Sequence, residues 1–252
     1  MTGNRAFLFT TVLITAGAAI AVLAWPAAAQ TLSLDMGQGG GSTTARVIQL
    51  LALITVLSLA PSLLVMVTSF TRIIIVLSFL RTAMGTQQTP PNQVLISLAL
   101  FLTFFIMQPV FEESFDAGIA PLIEGEIDEA QAFERSIEPV QKFMLAHVRE
   151  QDLLLFTDIA GLSDDQRPED LSLRILIPSF MISELRRAFE IGFLIFVPFL
   201  IIDMVVASVL MSMGMLMLPP IIIALPFKII FFVLVDGWYM IAGSLVRSFG
   251  VG

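Results

Sequence analysis

Four long apolar blocks, residues 47–67, 94–111, 191–218 and 221–242, decide what this chain can fold into. Each reaches about the 18 residues needed to cross a ~30 Å hydrocarbon core. A backbone in lipid must satisfy its own hydrogen bonds, so blocks of this kind read as helices and the fold class as all-α. Composition agrees: 57% of residues are hydrophobic and 13% charged, against about 25% charged in soluble domains. The expectation is an integral membrane protein.

The charges that remain are concentrated. Residues 112–174 hold 16 acids and 5 bases, and the rest of the chain holds 5 acids and 8 bases. One acidic, water-facing insert therefore interrupts the apolar protein. Within it Ala132, Phe133, Ile137, Val140 and Met144 recur at helical intervals across residues 126–149, which predicts one or two amphipathic helices packed on their neighbours. Glu112 and Glu113 are adjacent, so a helix turns them apart and they do not form a paired acid/base site.

Residues 1–29 have the build of a cleavable signal peptide: Arg5, an apolar run over residues 6–25, and Ala27-Ala28-Ala29 as an A-x-A site before Gln30. A retained first span is the alternative. Residues 30–46, with a glycine-rich stretch at 35–44, read as a flexible periplasmic N-terminus. Residues 47–111 form a first hydrophobic hairpin, with a turn at 85–92, and residues 175–252 a second. Residues 73–80, between Arg72 and Arg81, are too short to span alone. An outward N-terminus and four spans leave the insert outside and Arg72 and Arg81 inside, a placement the positive-inside rule supports weakly.

Several chemistries lack material. There is no cysteine, so thiolate sites are excluded; His147 is the only histidine, which leaves almost no material for His-rich metal sites or Ser-His-Asp triads. No P-loop occurs, and a net charge of −8 disfavours nucleic acid. No cofactor is expected.

Asp203 and Lys228 lie inside apolar blocks and Asp236 near the end of the last. A charge at mid-bilayer costs about 2.5–3.5 kcal/mol on insertion scales, so such residues face protein, water or an opposite charge. They form either a transport pathway, as in a secondary transporter, or a pair joining helices or subunits. The absence of a carboxylate chain favours the pair. In the run from Ser183 to Glu190, Glu184 with Arg187 and Arg186 with Glu190 have helix-neighbour spacing, as local pairs or as contacts between subunits. Pro61, Pro178, Pro198, Pro219, Pro220 and Pro226 in or beside the blocks predict broken helices. Met211, Met213, Met215 and Met217 cluster with Gly214 before Pro219-Pro220, which reads as an exposed loop of adaptable apolar side chains.

These residues carry a resemblance. Ile177-Pro178-Ser179-Phe180-Met181-Ile182-Ser183-Glu184-Leu185-Arg186-Arg187-Ala188-Phe189-Glu190-Ile191-Gly192 looks like the signature of the FliP family. Thr68-Ser69-Phe70-Thr71-Arg72-Ile73, Gly85-Thr86-Gln87-Gln88-Thr89-Pro90-Pro91-Asn92, the run from Gly214 to Pro220, Ala224-Leu225-Pro226-Phe227-Lys228 and Leu234-Val235-Asp236-Gly237-Trp238 also match. The resemblance implies a non-enzymatic subunit of the flagellar type III export gate in the inner membrane and flagellar basal body. The implied partners are FliQ, FliR, other export-apparatus proteins and the unfolded flagellar proteins that pass through. It further implies five copies closing with FliR into a helical ring, helices shifted from a plain transmembrane arrangement, and Met215-Leu216-Met217 as a constriction where the family usually has three methionines. The homologous subunit of a virulence injectisome is the alternative.

Overall fold

The computed structural model describes residues 43–86, 88–162, 171–215 and 217–250. The signal-peptide reading, most of the N-terminal segment and Leu216 lie outside them. The chain divides into residues 1–52 and residues 53–252. Of the first unit, the described part is the opening of helix α1 (Thr43–Met66), which exposes Val47, Ile48 and Leu50. All packing given below lies within the second unit.

Among the described residues the fold is helical, without strands. After α1 come α2 (Phe70–Met84), α3 (Asn92–Ser114), a π-helical turn (Phe115–Ile119) and α4 (Ala120–Ile123). The acidic region supplies α5 (Glu129–His147) and α6 (Glu150–Ile159). Then follow α7 (Leu173–Ser212), α8 (Pro220–Leu234) and α9 (Gly237–Arg247). Helix α2 lies at the centre, packed on α7 and α3; α5 packs on α3 and α7, and α6 and α8 on α7.

Local chemistry explains the ends. Gly85 stops α2 in the left-handed region (φ 78°), its N–H donating to the Thr82 carbonyl at 3.0 Å, a conformation that favours glycine. Asp128 caps α5 by accepting the Gln131 N–H at 2.8 Å.

Two helical rods are long and apolar enough to cross a membrane, Asn92–Ile123 and Leu173–Ser212, and up to four crossings result if α1–α2 and α8–α9 each count as one broken span. The acidic stretch thus begins inside the first rod, past residue 112. The 40 residues of α7 extend about 60 Å at 1.5 Å per residue, twice the hydrocarbon core. One helix therefore runs from the insert through the charged Ser183–Glu190 stretch into a membrane-length apolar segment.

The expected breaks at proline need correction. Pro61, Pro178, Pro198 and Pro226 all sit inside continuous helices. A proline removes one backbone hydrogen bond, whereas interrupting the helix in an apolar setting would orphan several. The block at 221–242 does break, at Asp236 (φ 50°), where α8 and α9 bend by 62°.

The core joins Ile73, Val76 and Leu77 of α2 to Leu95, Ala99 and Ile106 of α3, with Phe143 and Met144 of α5 and Leu176 and Phe180 of α7. Residues 73–80, too short to span, thus present one fully buried face, Ile73, Val76, Leu77 and Leu80. Of the expected inward positions on α5, Ala132 and Met144 are buried, but Phe133 is 63% exposed. The inward face instead uses Phe143.

Candidate functional site

Two groups of charged side chains, an aromatic contact and one loop make up the candidate site. The deepest group centres on Arg72. Its Nε donates to Glu184 Oε2 at 2.8 Å and its Nη2 donates to Glu184 Oε1, a two-point pair with both side chains buried. Nη1 donates to the Ser248 hydroxyl at 2.9 Å and to the Ser248 carbonyl at 3.3 Å. The guanidinium carbon lies 3.7 Å from the centre of the Phe249 ring. A planar guanidinium fits this combination, because its fork meets the carboxylate while its face stacks on an aromatic ring.

Glu184 therefore pairs with Arg72, not with Arg187 one turn along. The local spacing was correct, but α2 supplies a buried partner with two-point geometry. Arg187 is half-buried, and its Nε has no hydrogen-bond partner. Arg186 and Glu190 do form the expected pair, 2.9 Å apart on the exposed side of α7. Next to this group Ser183 donates to Asp152 at 2.7 Å and accepts the Arg149 N–H at 3.0 Å, tying α6 to α7.

The second group is Lys228. Its Nζ donates to Asp203 Oδ2 at 2.7 Å and to the Ala83 carbonyl at 3.1 Å. The lysine side chain is 5% exposed and the aspartate 33%. Ala83 lies in the last turn of α2, whose free carbonyls attract a cation. One ammonium thus joins α2, α7 and α8. Asp236 is exposed at the α8–α9 break, with no ion pair among the described residues.

Aromatic packing sets the α2–α7 crossing. The Phe79 ring lies 5.0 Å from that of Phe189 and 6.4 Å from that of Phe196, both edge-on. A Cβ at Gly192 would lie 2.5 Å from the Phe79 ring, so only glycine lets the ring pass.

The fourth part is the loop between α7 and α8. Helix α7 ends at Ser212, Gly214 turns at φ +76°, and Pro220 opens α8. Met211, Met213, Met215 and Met217 are all exposed, Met217 to 98%. Leu216 lies outside the described residues.

The comparisons with known proteins bear on this arrangement. The sequence profile of the FliP family matches residues 53–245. The chain belongs to the FliP family. Flagellar biosynthetic protein FliP of Caulobacter vibrioides is 57% identical to this FliP-family chain over 243 residues, covering 95% of this chain and 91% of that protein. The Bacillus subtilis protein of the same name is 56% identical over 202 residues, 80% of this chain and 91% of the relative. The Aquifex aeolicus one is 49% identical over 220 residues, 86% and 91% respectively.

Arg72, Ser248 and Phe249 are parts of this site that the sequence does not single out as such. The sequence marks Arg72 only as a charge on the inner side of the membrane; the structure makes it the centre of the buried charge group. Its position in an apolar run, with the cost that burial carries, was the available signal. Ser248 and Phe249 carried none, since a serine and a phenylalanine near a helix end are ordinary residues.

Proposed function

We propose that this chain is a pore-forming core subunit of the flagellar type III export gate, passing unfolded flagellar proteins across the bacterial inner membrane. Several copies, five in the family, close with FliR into a helical ring with FliQ outside, among the other export-apparatus proteins of the basal body. The role is non-enzymatic. Family membership over most of the chain carries the reading, and the membrane-length apolar helices support it.

Met215, Leu216 and Met217 form the constriction of that ring. What supports this is the setting of the loop: three exposed methionines, Met213, Met215 and Met217, about a glycine turn between two apolar helices. Large apolar side chains close a pore by excluding water, and methionine re-packs around varied passing chains. The ion pairs of Arg72–Glu184 and Lys228–Asp203 hold each subunit in the shape that assembles, and Arg186, Arg187, Glu190 and Asp236 lie available for contacts between subunits. The acidic insert faces the periplasm.

The test is to shorten Met215, Leu216 and Met217 together to alanine. The complex with FliQ and FliR is expected to keep its native mass, while membrane conductance to ions rises in cells expressing it. Unchanged conductance with assembly intact would return the loop to ordinary packing.

A further inference from the structure

Arg187 lies half-buried on α7, and its Nε is enclosed without a hydrogen-bond partner. Its charge reaches Glu184 and Glu190, but both are engaged: the two oxygens of Glu184 accept from Arg72, and Glu190 takes Arg186 at 2.9 Å. A second cation stands beside it. Arg149, at the start of α6, donates its backbone N–H to the Ser183 hydroxyl at 3.0 Å, and Ser183 lies one turn before Arg187 on the same face of α7. Its Nη1 is also enclosed without a partner, 3.7 Å from an Asp152 oxygen that accepts the Ser183 hydroxyl at 2.7 Å. Glu150, the neighbouring acid, is exposed and pairs with neither arginine. Two guanidinium groups thus share the α6–α7 corner, each with an enclosed N–H that has no acceptor. Both side chains remain partly open, Arg149 to 21%.

Past that corner the same face of α7 turns apolar. Ile191, Leu194, Ile195 and Pro198 follow Arg187 at the spacing of one helix stripe. They wall a hollow of about 430 Å³ between α7, α8 and α9, together with the buried Phe232. Leu194 and Met240, also in its wall, are exposed, so the hollow opens to the outside of the chain.

The arrangement calls for a ligand with an anion at one end and an apolar chain at the other. Arg187 lies one turn, about 6 Å of helix, before the apolar block at 191–218. That boundary is the level of lipid headgroups. A guanidinium fork matches phosphate oxygens through two parallel bonds. We propose that Arg187 and Arg149 hold the phosphate of a membrane lipid whose acyl chain occupies the hollow between α7, α8 and α9. The phosphate supplies the missing acceptors, and the chain covers the apolar wall. A carboxylate from a second copy would answer the arginines without filling the hollow; that occupant is an outcome of the test.

The full chain, purified in detergent, is incubated with phosphatidylglycerol, and retained lipid is read by native mass spectrometry beside the melting temperature. The wild type is expected to retain the lipid and to melt higher with it. Arg187→Gln and Arg149→Gln are each expected to lower retention about tenfold, the loss of a charge-assisted hydrogen bond. Leu194→Trp narrows the hollow without touching a charge and is expected to lower retention as well. Lys142→Gln, which removes an exposed cation on α5, is expected to leave it unchanged. Should Arg187→Gln not fold, Arg187→Lys serves: an ammonium lacks the two-point fork, so retention is expected to fall severalfold. Sodium phosphate that raises the melting temperature as much as the lipid does, or retention unaffected by Leu194→Trp, overturns the lipid. No retention by the wild type, or equal retention by Arg187→Gln, overturns the site. If that variant also lowers the native mass of the complex with FliQ and FliR, Arg187 belongs to a contact between copies instead.

Discussion

Arg72 and Glu184, 112 positions apart, meet as a two-point ion pair with both side chains buried. The pair joins α2 to the charged stretch of α7, and through Ser248 and Phe249 Arg72 also holds the segment just past α9. Removing either member leaves a buried charge without its counter-ion, which typically costs about 3–5 kcal/mol. Arg72→Met and Glu184→Leu are each expected to lower thermal stability in detergent by that order. The double variant is expected to recover much of it, because an apolar pair of similar volume carries no desolvation penalty. Additive losses in the double-mutant cycle would mean that the pair acts only as filler.

The Lys228–Asp203 pair is asymmetric. The lysine side chain is nearly enclosed, while a third of the aspartate remains accessible. Asp203→Leu strands a buried ammonium with the Ala83 carbonyl, whereas Lys228→Met leaves a carboxylate that can reach water. Asp203→Leu is therefore expected to be the more damaging, toward the upper end of the ~3–5 kcal/mol range. Melting temperature and yield of complex with FliQ and FliR read it out, and the opposite order would refute the assignment.

Two helical glycines make a contrasting pair. At Gly192 the obstacle to a Cβ is the Phe79 side chain; at Gly118 it is the Ala132 carbonyl oxygen at 2.4 Å as well as the Ser136 hydroxyl. Gly192→Ala is expected to cost about 1–3 kcal/mol by overpacking, exceeding the ~1 kcal/mol that alanine gains in helix propensity. Phe79→Ala should reduce that cost. Ser136→Ala should not rescue Gly118→Ala, because the backbone of α5 stays in place. Thermal melts of the single and double variants decide both claims.

The periplasmic placement of the insert is checked by a single cysteine in this cysteine-free chain. Ala130 is exposed near the start of α5. Ala130→Cys is expected to react in intact spheroplasts with a maleimide that does not cross membranes. Reaction only after the membrane is opened would reverse the topology.

The helical class and the apolar blocks were legible because they depend on local properties, hydropathy over a bilayer's length and a 3.6-residue period. The loop after α7 was legible for the same reason: glycine, two prolines and clustered methionines announce themselves without a partner. The Lys228–Asp203 pair was legible as chemistry, since charges in apolar helices require compensation, and these lie on consecutive helices.

What the sequence by itself determined is therefore the material: helices of membrane length, an acidic insert, a methionine loop and buried charges in need of partners. Only the tertiary structure decided which partner each charge takes. Glu184 turned from Arg187 on its own helix to Arg72 on another, because packing α2 against α7 buried both and made two-point contact the better arrangement. It also decided that α7 runs through Pro178 and Pro198, since losing single hydrogen bonds costs less than ending a helix among apolar neighbours. The docking of Phe249 between Arg72, Phe143 and His147 depends on three distant segments meeting, and no periodicity in one of them records the other two.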